Sequence, residues 1–376
     1  MWSLCLACWR RGTQSVASRG SRAEVSTVHG GLDDAELRAH AITRADVVDF
    51  SSNVNPLGAS RLAREAAAKA DLSSYPDREC LLLREALSAR VGVGVEQLMI
   101  GNGSTEIIHL LARARLRPRS RCVIFAPTFG EYQAAVDLAG ADVRFVRASE
   151  ANGFNWSIPT AVRAIETLRP AVAFLCNPNN PTGVYLDEDD VRDLSSAVGP
   201  DALLVLDASY APLADDEWDA TPLLSRGNVA LLRSMTKDHG LAGVRLGYLA
   251  ASAPVVEASR RLQPAWGVNA VAQAVGIAAL EDEAHVAAAR RVIRDSKAYL
   301  YAQLKAMGVP TLPSATNFLL ARVGDATRVR RALLRRRLVV RDCTSFRLPA
   351  YIRIAVRRPD ECALLTRALR DVLTHE

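Results

Sequence analysis

Several side chains with distinct chemistry follow directly after apolar runs of the sequence. The run AVAFLC precedes NPNNPTG, a rigid turn in which Asn180 presents its amide. The run ALLVL ends in Asp207, with Tyr210 three residues later, and VALLRSM leads to Lys237. Arg245 follows that lysine by eight residues. An amide, a carboxylate, a phenol and an amine therefore stand where strand-like segments end.

A second group of residues suits an anion and a flat ring. GNGSTE places Gly103, Ser104 and Thr105 at the opening of a helical pattern, where backbone N–H groups bind phosphate. Ser234 lies three residues before the lysine and adds a hydroxyl. Phe129 follows the run CVIFA and offers an aromatic face for stacking.

Pyridoxal 5′-phosphate (PLP) is a ligand that needs all of these groups. Its protonated pyridine nitrogen requires a buried carboxylate, its ring oxygen requires donors, and its phosphate requires N–H, serine and arginine groups. Its aldehyde forms a Schiff base with an amine. We therefore predict that Lys237 is the Schiff-base lysine and that Asp207 pairs with the ring nitrogen. In this interpretation Ser234 and Arg245 hold the phosphate.

Each residue also has a structural explanation when it is taken alone. A single lysine is more often a surface residue, Asp207 alone suits a helix cap, and Phe129 alone suits a core. A G-x-G at a helix start is common. The ordered set of NPNNPTG, D-x-x-Y, S-x-x-K and an arginine favours the cofactor site.

The elements that must position these residues alternate between strand and helix. Apolar runs such as CVIFA, VRFV, AVAFLC, ALLVLD and VALLRS are separated by helical stretches such as EYQAAVDLAG and EDDVRDLSSAV. This alternation predicts an α/β fold with a mainly parallel sheet flanked by helices, and ligands bind such sheets beyond the carboxyl ends of the strands.

The chain is long enough for two domains. We predict a disordered or targeting extension (1–28), an N-terminal arm (29–60), a large cofactor-binding domain (61–270) and a smaller α+β C-terminal domain (271–376). The last of these has two strand candidates, NFLLARV and YIRIAVR. RVRRALLRRRL is interpreted as an amphipathic helix with Leu333, Leu334 and Leu338 on its apolar face.

Composition narrows the classes of function. The 376 residues carry a formal net charge of +6 and no nucleic-acid motif, which favours small anionic ligands over nucleic acid. The longest apolar runs are far shorter than the ~20 residues that cross a membrane. Seven irregularly spaced cysteines indicate a reducing cytosol. Cys5 and Cys8 form a lone C-x-x-C without a second pair, which favours a chance occurrence over a metal or redox site, and the six histidines show no metal-ligand spacing.

The order of motifs resembles the PLP-dependent aminotransferases of class I/II, which have fold type I. The resemblance begins at about His29 and extends to the C-terminus. Within that superfamily the chain is similar to histidinol-phosphate aminotransferases and to L-threonine-O-3-phosphate decarboxylases. HGG, DFSSNVNPLG, GNGSTE, PTFGEY, QPAWGVNA and YIRIAVR are most similar to the decarboxylases.

The resemblance implies a role for each matching residue. Asn180 and Tyr210 donate to the ring oxygen, Phe129 stacks on the ring, and Arg353 grips the substrate carboxylate. Tyr75 reaches the cofactor phosphate of a neighbouring subunit, which implies a homodimer. The phosphate contacts are Gly103, Ser104, Thr105, Ser234 and Arg245, and candidates for the anionic end of a small amino-acid substrate are His29, Asn55 and Arg341.

Departures from the decarboxylase pattern surround this site. Leu32 replaces an asparagine, Ala208 and Ser209 replace the usual E-A, and Asp238 replaces an aromatic residue. We expect decarboxylation of a phosphorylated amino acid, as in cobalamin biosynthesis. The alternative is amino-group transfer to 2-oxoglutarate, as in histidinol-phosphate aminotransferases. A regulator that only senses PLP is a further alternative, although the 28 residues before the resemblance are few for a DNA-binding domain and lack helical periodicity.

Overall fold

The computed structural model describes residues 30–375 and contains two β-sheets. The larger sheet has seven strands in the order β2-β8-β7-β6-β5-β3-β4. Its strands are β2 (Leu98–Asn102), β3 (Arg121–Ala126), β4 (Asp142–Arg147), β5 (Val172–Cys176), β6 (Leu203–Asp207), β7 (Val229–Ser234) and β8 (Leu246–Ala250).

All neighbouring strands of this sheet are parallel except β8, which runs antiparallel to both β2 and β7. The central strands β5 and β6 are buried along their whole length, because helices cover both faces of the sheet. The predicted mainly parallel sheet is confirmed. The antiparallel strand β8 was not predicted, since LGYLA directly follows the lysine motif and carries no separate signal.

Helices pack on both sheets. The helices before residue 270 are α1 (Asp34–Ala39), α2 (Arg61–Lys69), α3 (Leu81–Val91), α4 (Gly103–Arg115), α5 (Glu131–Leu138), α6 (Ile158–Leu168), α7 (Glu188–Val198), α8 (Met235–Asp238) and α9 (Ala253–Arg260). The later helices are α10 (Ala270–Leu280), α11 (Glu283–Ala306), α12 (Ala326–Arg335) and α13 (Pro359–His375). Asp282 separates α10 from α11, because its side chain accepts a hydrogen bond from the backbone of His285 and caps the second helix.

The smaller sheet has four strands in the order β1-β10-β11-β9. These strands are β1 (Val48–Phe50), β9 (Phe318–Arg322), β10 (Leu338–Asp342) and β11 (Tyr351–Ala355). The sequence predicted two of them. Leu338 was predicted on a helix, but it begins β10, because α12 ends at Arg335 and the chain turns at Arg337, where φ is +63°.

The first strand of the smaller sheet comes from the predicted N-terminal arm, since β1 pairs in parallel with β10. The arm therefore contributes to the smaller sheet, although the predicted domain boundaries themselves remain a prediction. The extension at 1–28 lies outside the described residues. Among residues 30–375, no helix is long and apolar enough to cross a membrane, and no cluster of acidic, histidine and cysteine side chains suits a metal ion.

Candidate active site

A cavity opens at the carboxyl ends of β3, β5, β6 and β7. The chain passes from β3 outward to β4, but from β5 in the opposite direction to β6. The carboxyl ends of β3 and β5 therefore flank a topological switch point, where open α/β sheets bind ligands. The predicted residues that line this cavity are Ser104, Thr105, Phe129, Asn180, Asp207, Tyr210, Ser234, Lys237, Arg245, Arg341 and Arg353.

Lys237 supplies the amine of the cavity. Its Nζ lies 5.6 Å from the centre of the Tyr210 ring. The sequence contains four lysines. Lys69 and Lys305 are exposed, and Lys297 is paired with an aspartate. Among the described residues, Lys237 is therefore the lysine that lines this cavity.

Asp207 is 4 % exposed at the end of β6, and neutral donors hold both of its carboxylate oxygens. Tyr132 donates its hydroxyl proton to Oδ2 at 2.7 Å, and the Ser209 hydroxyl donates to Oδ1 at 2.5 Å. Burial raises the pKa of Asp207, while these hydrogen bonds and the charge of Lys237 act in the opposite direction. A cation placed against this carboxylate, such as a protonated pyridine nitrogen, would relieve the cost of its burial.

Tyr132 and Ser209 were not assigned roles from the sequence. Tyr132 lies in α5, 75 residues from Asp207 along the chain, so no local spacing connects the two. Ser209 follows Asp207 by two residues and also donates its backbone N–H to the carboxylate at 3.0 Å. An aspartate followed by serine at the second position is a local signal that would have identified this contact.

Asn180 is buried in the turn that follows β5. Its neighbour Asn179 fixes the turn by donating to the carbonyl of Pro127 and to the Thr182 hydroxyl. The Oδ1 of Asn180 accepts a hydrogen bond from Arg353 Nη1. This contact occupies the amide oxygen, so the amide N–H groups of Asn180 are the donors that it can offer to a ligand in the cavity.

The predicted phosphate contacts meet where β2 passes into α4. Gly103 has a φ of +78°, and a Cβ there would lie 2.5 Å from Arg245 Nη2. Glycine therefore permits both the backbone conformation and the close approach of the guanidinium. Arg245 itself has a φ of +63°, an uncommon conformation for a residue with a side chain. Gly103 does not line the cavity. It begins α4, and the next two residues of that helix, Ser104 and Thr105, do line it.

Two buried arginines from the smaller sheet also line the cavity, and they are paired in register on β10 and β11. Arg341 is 6 % exposed and Arg353 is 4 % exposed. Arg341 donates to the Ser345 hydroxyl at 2.6 Å, whereas Arg353 Nη2 donates to the Ser51 carbonyl at 2.7 Å. Burial and the charge of Arg353 lower the pKa of Arg341 to about 10. Because like charges in a buried site repel each other, an anion bound here would stabilise both.

Three other predicted residues lie elsewhere or outside the described residues. Asn55 does not line the cavity. Its amide donates to the carbonyl of Asp238 at 2.8 Å, and its backbone N–H donates to the carbonyl of Lys237 at 2.8 Å, so it fixes the backbone of α8. Tyr75 is 81 % exposed and stacks on Trp266 with ring centres 4.7 Å apart. His29 lies outside the described residues.

Comparisons with known proteins show which family this chain resembles. The sequence profile of the family described as aminotransferase class I and II matches residues 45–369. Histidinol-phosphate aminotransferase from Moorella thermoacetica is 36% identical over 335 residues, which are 87% of this chain and 86% of that protein. Histidinol-phosphate aminotransferase from Symbiobacterium thermophilum is 37% identical over 338 residues, which are 87% of this chain and 91% of that protein.

A crystal structure shares the fold. It is that of histidinol-phosphate aminotransferase from Sinorhizobium meliloti in complex with pyridoxal 5′-phosphate. The two structures superpose with a TM-score of 0.84 at 22% identity, over 96% of this chain and 99% of that chain.

The chain belongs to the aminotransferase class I and II family and is a PLP-dependent enzyme of fold type I. The residues fit this cofactor. Asp207 is a buried carboxylate that only neutral side chains and one backbone N–H contact directly, and Lys237 places an amine in the same cavity. Gly103 opens a helix beneath an arginine, which suits a phosphate.

The leading functional prediction, decarboxylation of a phosphorylated amino acid, is wrong. The relatives that match most of the chain at 36% and 37% identity are histidinol-phosphate aminotransferases. The prediction depended on short motifs near the cofactor, and Lys237 and Asp207 would serve decarboxylation and amino-group transfer equally well. The placement in cobalamin biosynthesis has no support from these relatives.

Proposed function

We propose that this enzyme transfers the amino group of L-histidinol phosphate to 2-oxoglutarate. The names of its relatives, which are histidinol-phosphate aminotransferases, support the amino donor. The acceptor, 2-oxoglutarate, is part of the proposal. Histidinol phosphate has no carboxylate on its α-carbon, so it can lose a proton there but cannot lose CO₂. A substrate of this kind therefore restricts the enzyme to amino-group transfer.

The observation that carries this proposal is the pair of buried arginines, Arg341 and Arg353, at one end of the cavity. Two guanidinium groups match a phosphate dianion, which accepts several charge-assisted hydrogen bonds. The Nε of Arg353 is buried without a hydrogen-bond partner, so one donor remains for such a ligand. The same pair suits the distal carboxylate of 2-oxoglutarate, which would occupy the site in the second half of the reaction.

Asp207 and Lys237 have different roles in this reaction. Bound PLP draws electrons from the bonds of the substrate α-carbon. Asp207 holds a proton on the ring nitrogen, and Tyr132 and Ser209 keep its carboxylate in place. Lys237 would hold the cofactor between turnovers by condensing its Nζ with the aldehyde, which releases water. During turnover the freed Nζ would move the proton from the substrate α-carbon to the aldehyde carbon of the cofactor.

We further propose that the enzyme is a homodimer in which Tyr75 reaches the phosphate of the partner's cofactor. Family members are typically dimers that act on amino-acid substrates. Tyr75 and Trp266 form an exposed aromatic pair, and Leu72, three residues before Tyr75, is 82 % exposed. Such a patch is costly in water and is typical of an interface.

The test offers the purified holoenzyme two substrates in parallel. With histidinol phosphate and 2-oxoglutarate, we expect stoichiometric glutamate. With threonine phosphate, we expect no CO₂. Glutamate formation that is equal with and without histidinol phosphate would refute the proposed substrate.

A variant pair tests the role of Arg353 in the same assay. Arg322 lies on the same sheet as Arg353 but is exposed and pairs with Glu150, so Arg322→Lys is the matched control for Arg353→Lys.

A further inference from the structure

Lys297 is a buried charged residue that the chemistry of the cavity does not use. It lies on α11 with a side chain that is 7 % exposed. Its Nζ donates to Asp215 Oδ2 at 2.5 Å and to the carbonyls of Ser314 and Thr316 at 3.2 Å each. Every proton of the ammonium group therefore has a partner, although burying an ammonium group is costly.

These contacts tie one short segment to three parts of the molecule. The backbone N–H of Asp215 donates to the carbonyl of Ala315 at 2.9 Å, so Asp215 holds the segment through its main chain as well as its carboxylate. The N–H of Ala315 donates to the carbonyl of Gly183 at 3.1 Å. Gly183 ends the turn that carries Asn180, and a Cβ there would lie 2.3 Å from the Ser314 hydroxyl.

The segment leads directly into Phe318, the first residue of β9. The Phe318 ring packs edge-on against the Tyr210 ring with centres 5.1 Å apart. The guanidinium of Arg353 lies 5.5 Å from the centre of the same Phe318 ring. Phe318 therefore lies between a residue that faces the cofactor site and one that faces the anion site.

We propose that the Lys297–Asp215 ion pair is a positioning device for the anion-binding end of the cavity. It fixes residues 314–317, and these fix Phe318 and the turn of Asn180. Arg353 contacts both Phe318 and Asn180, so the orientation of its planar guanidinium depends on the segment that Lys297 holds. This proposal rests on the proposed function in one respect, which is that the ligand bound by Arg353 is an anion.

The consequence of removing the ammonium group follows from the same contacts. Lys297→Met keeps the length of the side chain and its packing, but it leaves two carbonyls and a carboxylate without their shared donor. The segment then loses its anchor on α11, and Arg353 loses the fixed ring beneath it. If Arg353 is displaced from the position in which it binds the anion, ligand binding and catalysis both weaken.

The experiment uses the PLP-loaded enzyme and inorganic phosphate as the probe. Calorimetry gives the dissociation constant for phosphate, and hydrogen exchange gives the protection of residues 314–322. Lys305→Met is the matched control, because Lys305 lies on the same helix and is exposed. Lys297→Arg keeps charge and donors, and Asp215→Asn removes only the negative partner.

We expect Lys297→Met to weaken phosphate binding about tenfold and to accelerate exchange in residues 314–322. Lys297→Arg should restore most of the affinity, Asp215→Asn should give an intermediate loss, and Lys305→Met should match the unaltered enzyme. If Lys297→Met does not fold, the same ordering is tested with Lys297→Arg and Asp215→Asn.

Several results would overturn the proposal. Unchanged phosphate affinity and exchange in a folded Lys297→Met or Asp215→Asn variant would do so, as would equal losses in Lys305→Met. Failure of the proposed function looks different, because an enzyme that does not turn over histidinol phosphate would still show the ordered loss of phosphate binding or of exchange protection.

Discussion

Arg353 Nη1 donates a hydrogen bond to Asn180 Oδ1, although the two residues are 173 positions apart in the chain. Arg353 lies on β11 of the smaller sheet, whereas Asn180 lies in the turn after β5 of the larger sheet. One amide therefore connects the arginine proposed to bind the anion with the site proposed for the cofactor. An anion bound by Arg353 would therefore act directly on Asn180, the residue proposed to donate to the ring oxygen of the cofactor.

Replacing Arg353 with lysine tests this shared contact. The charge is retained, but the planar fork that reaches both Asn180 and an anion is lost, so we expect kcat/KM for histidinol phosphate to fall about 10- to 100-fold. Steady-state kinetics measures it, with Arg322→Lys as the control. Unaltered kinetics in Arg353→Lys would show that the fork does not grip the substrate.

Removing the Tyr132 hydroxyl tests the support of Asp207. Tyr132→Phe keeps the ring, which stacks on Phe174 with centres 5.0 Å apart, but deletes one donor to the buried carboxylate. A hydrogen bond to a charged group contributes about 1.5–3 kcal/mol, so we expect PLP affinity to fall roughly ten- to a hundredfold. Fluorescence titration of the apoenzyme measures the affinity. Tyr299→Phe, on the surface of α11, should leave it unchanged, and an equal loss in both variants would contradict the assignment.

The stability of the apoenzyme should depend on pH through Asp207. Burial raises the pKa of Asp207 above its ordinary value of 3.8, so the folded chain keeps this proton after the unfolded chain has lost it. The contribution of Asp207 to stability is therefore present at low pH and is lost as pH rises through its folded pKa. The free energy of unfolding of the apoenzyme, minus that of Asp207→Asn, should fall as pH rises above 3.8. Denaturant titrations measure it, and a difference that rises with pH would refute this account.

Mixing two defective subunits tests the shared site of the proposed dimer. Tyr75→Ala and Lys237→Ala should each be nearly inactive alone. A hybrid dimer contains one site that has Lys237 from one subunit and Tyr75 from the other. Random exchange makes half of the dimers hybrid, so we expect about a quarter of the normal activity. No recovery after verified subunit exchange would show that Tyr75 does not act across the interface.

The grouping of Lys237, Asp207 and Asn180 in one cavity was predictable because these residues occur in short motifs at strand ends. Lys237, Asp207 and Asn180 each follow an apolar run, and the parallel sheet brings such ends together. The predicted fold class is confirmed for the same reason, since alternating strands and helices leave a clear pattern.

The rest of the site depends on contacts between distant residues. Tyr132 reaches Asp207 across 75 positions and Lys297 reaches Asp215 across 82, so no spacing in the sequence reveals either pair. Asn55 was a candidate for the anionic end of the substrate through the family resemblance, but its amide donates to the main-chain carbonyl of Asp238. The choice between decarboxylation and amino-group transfer depends on the substrate, which the lysine motif does not encode.

Covalent attachment of the cofactor to Lys237 is the claim on which the account depends. The holoenzyme is reduced with borohydride, digested and analysed by mass spectrometry, which distinguishes the four lysines of the chain. The account predicts the reduced pyridoxyl group on the peptide that contains Lys237, and its loss in Lys237→Ala. A group found on Lys69, Lys297 or Lys305 in the unaltered enzyme, or on no lysine, would contradict it.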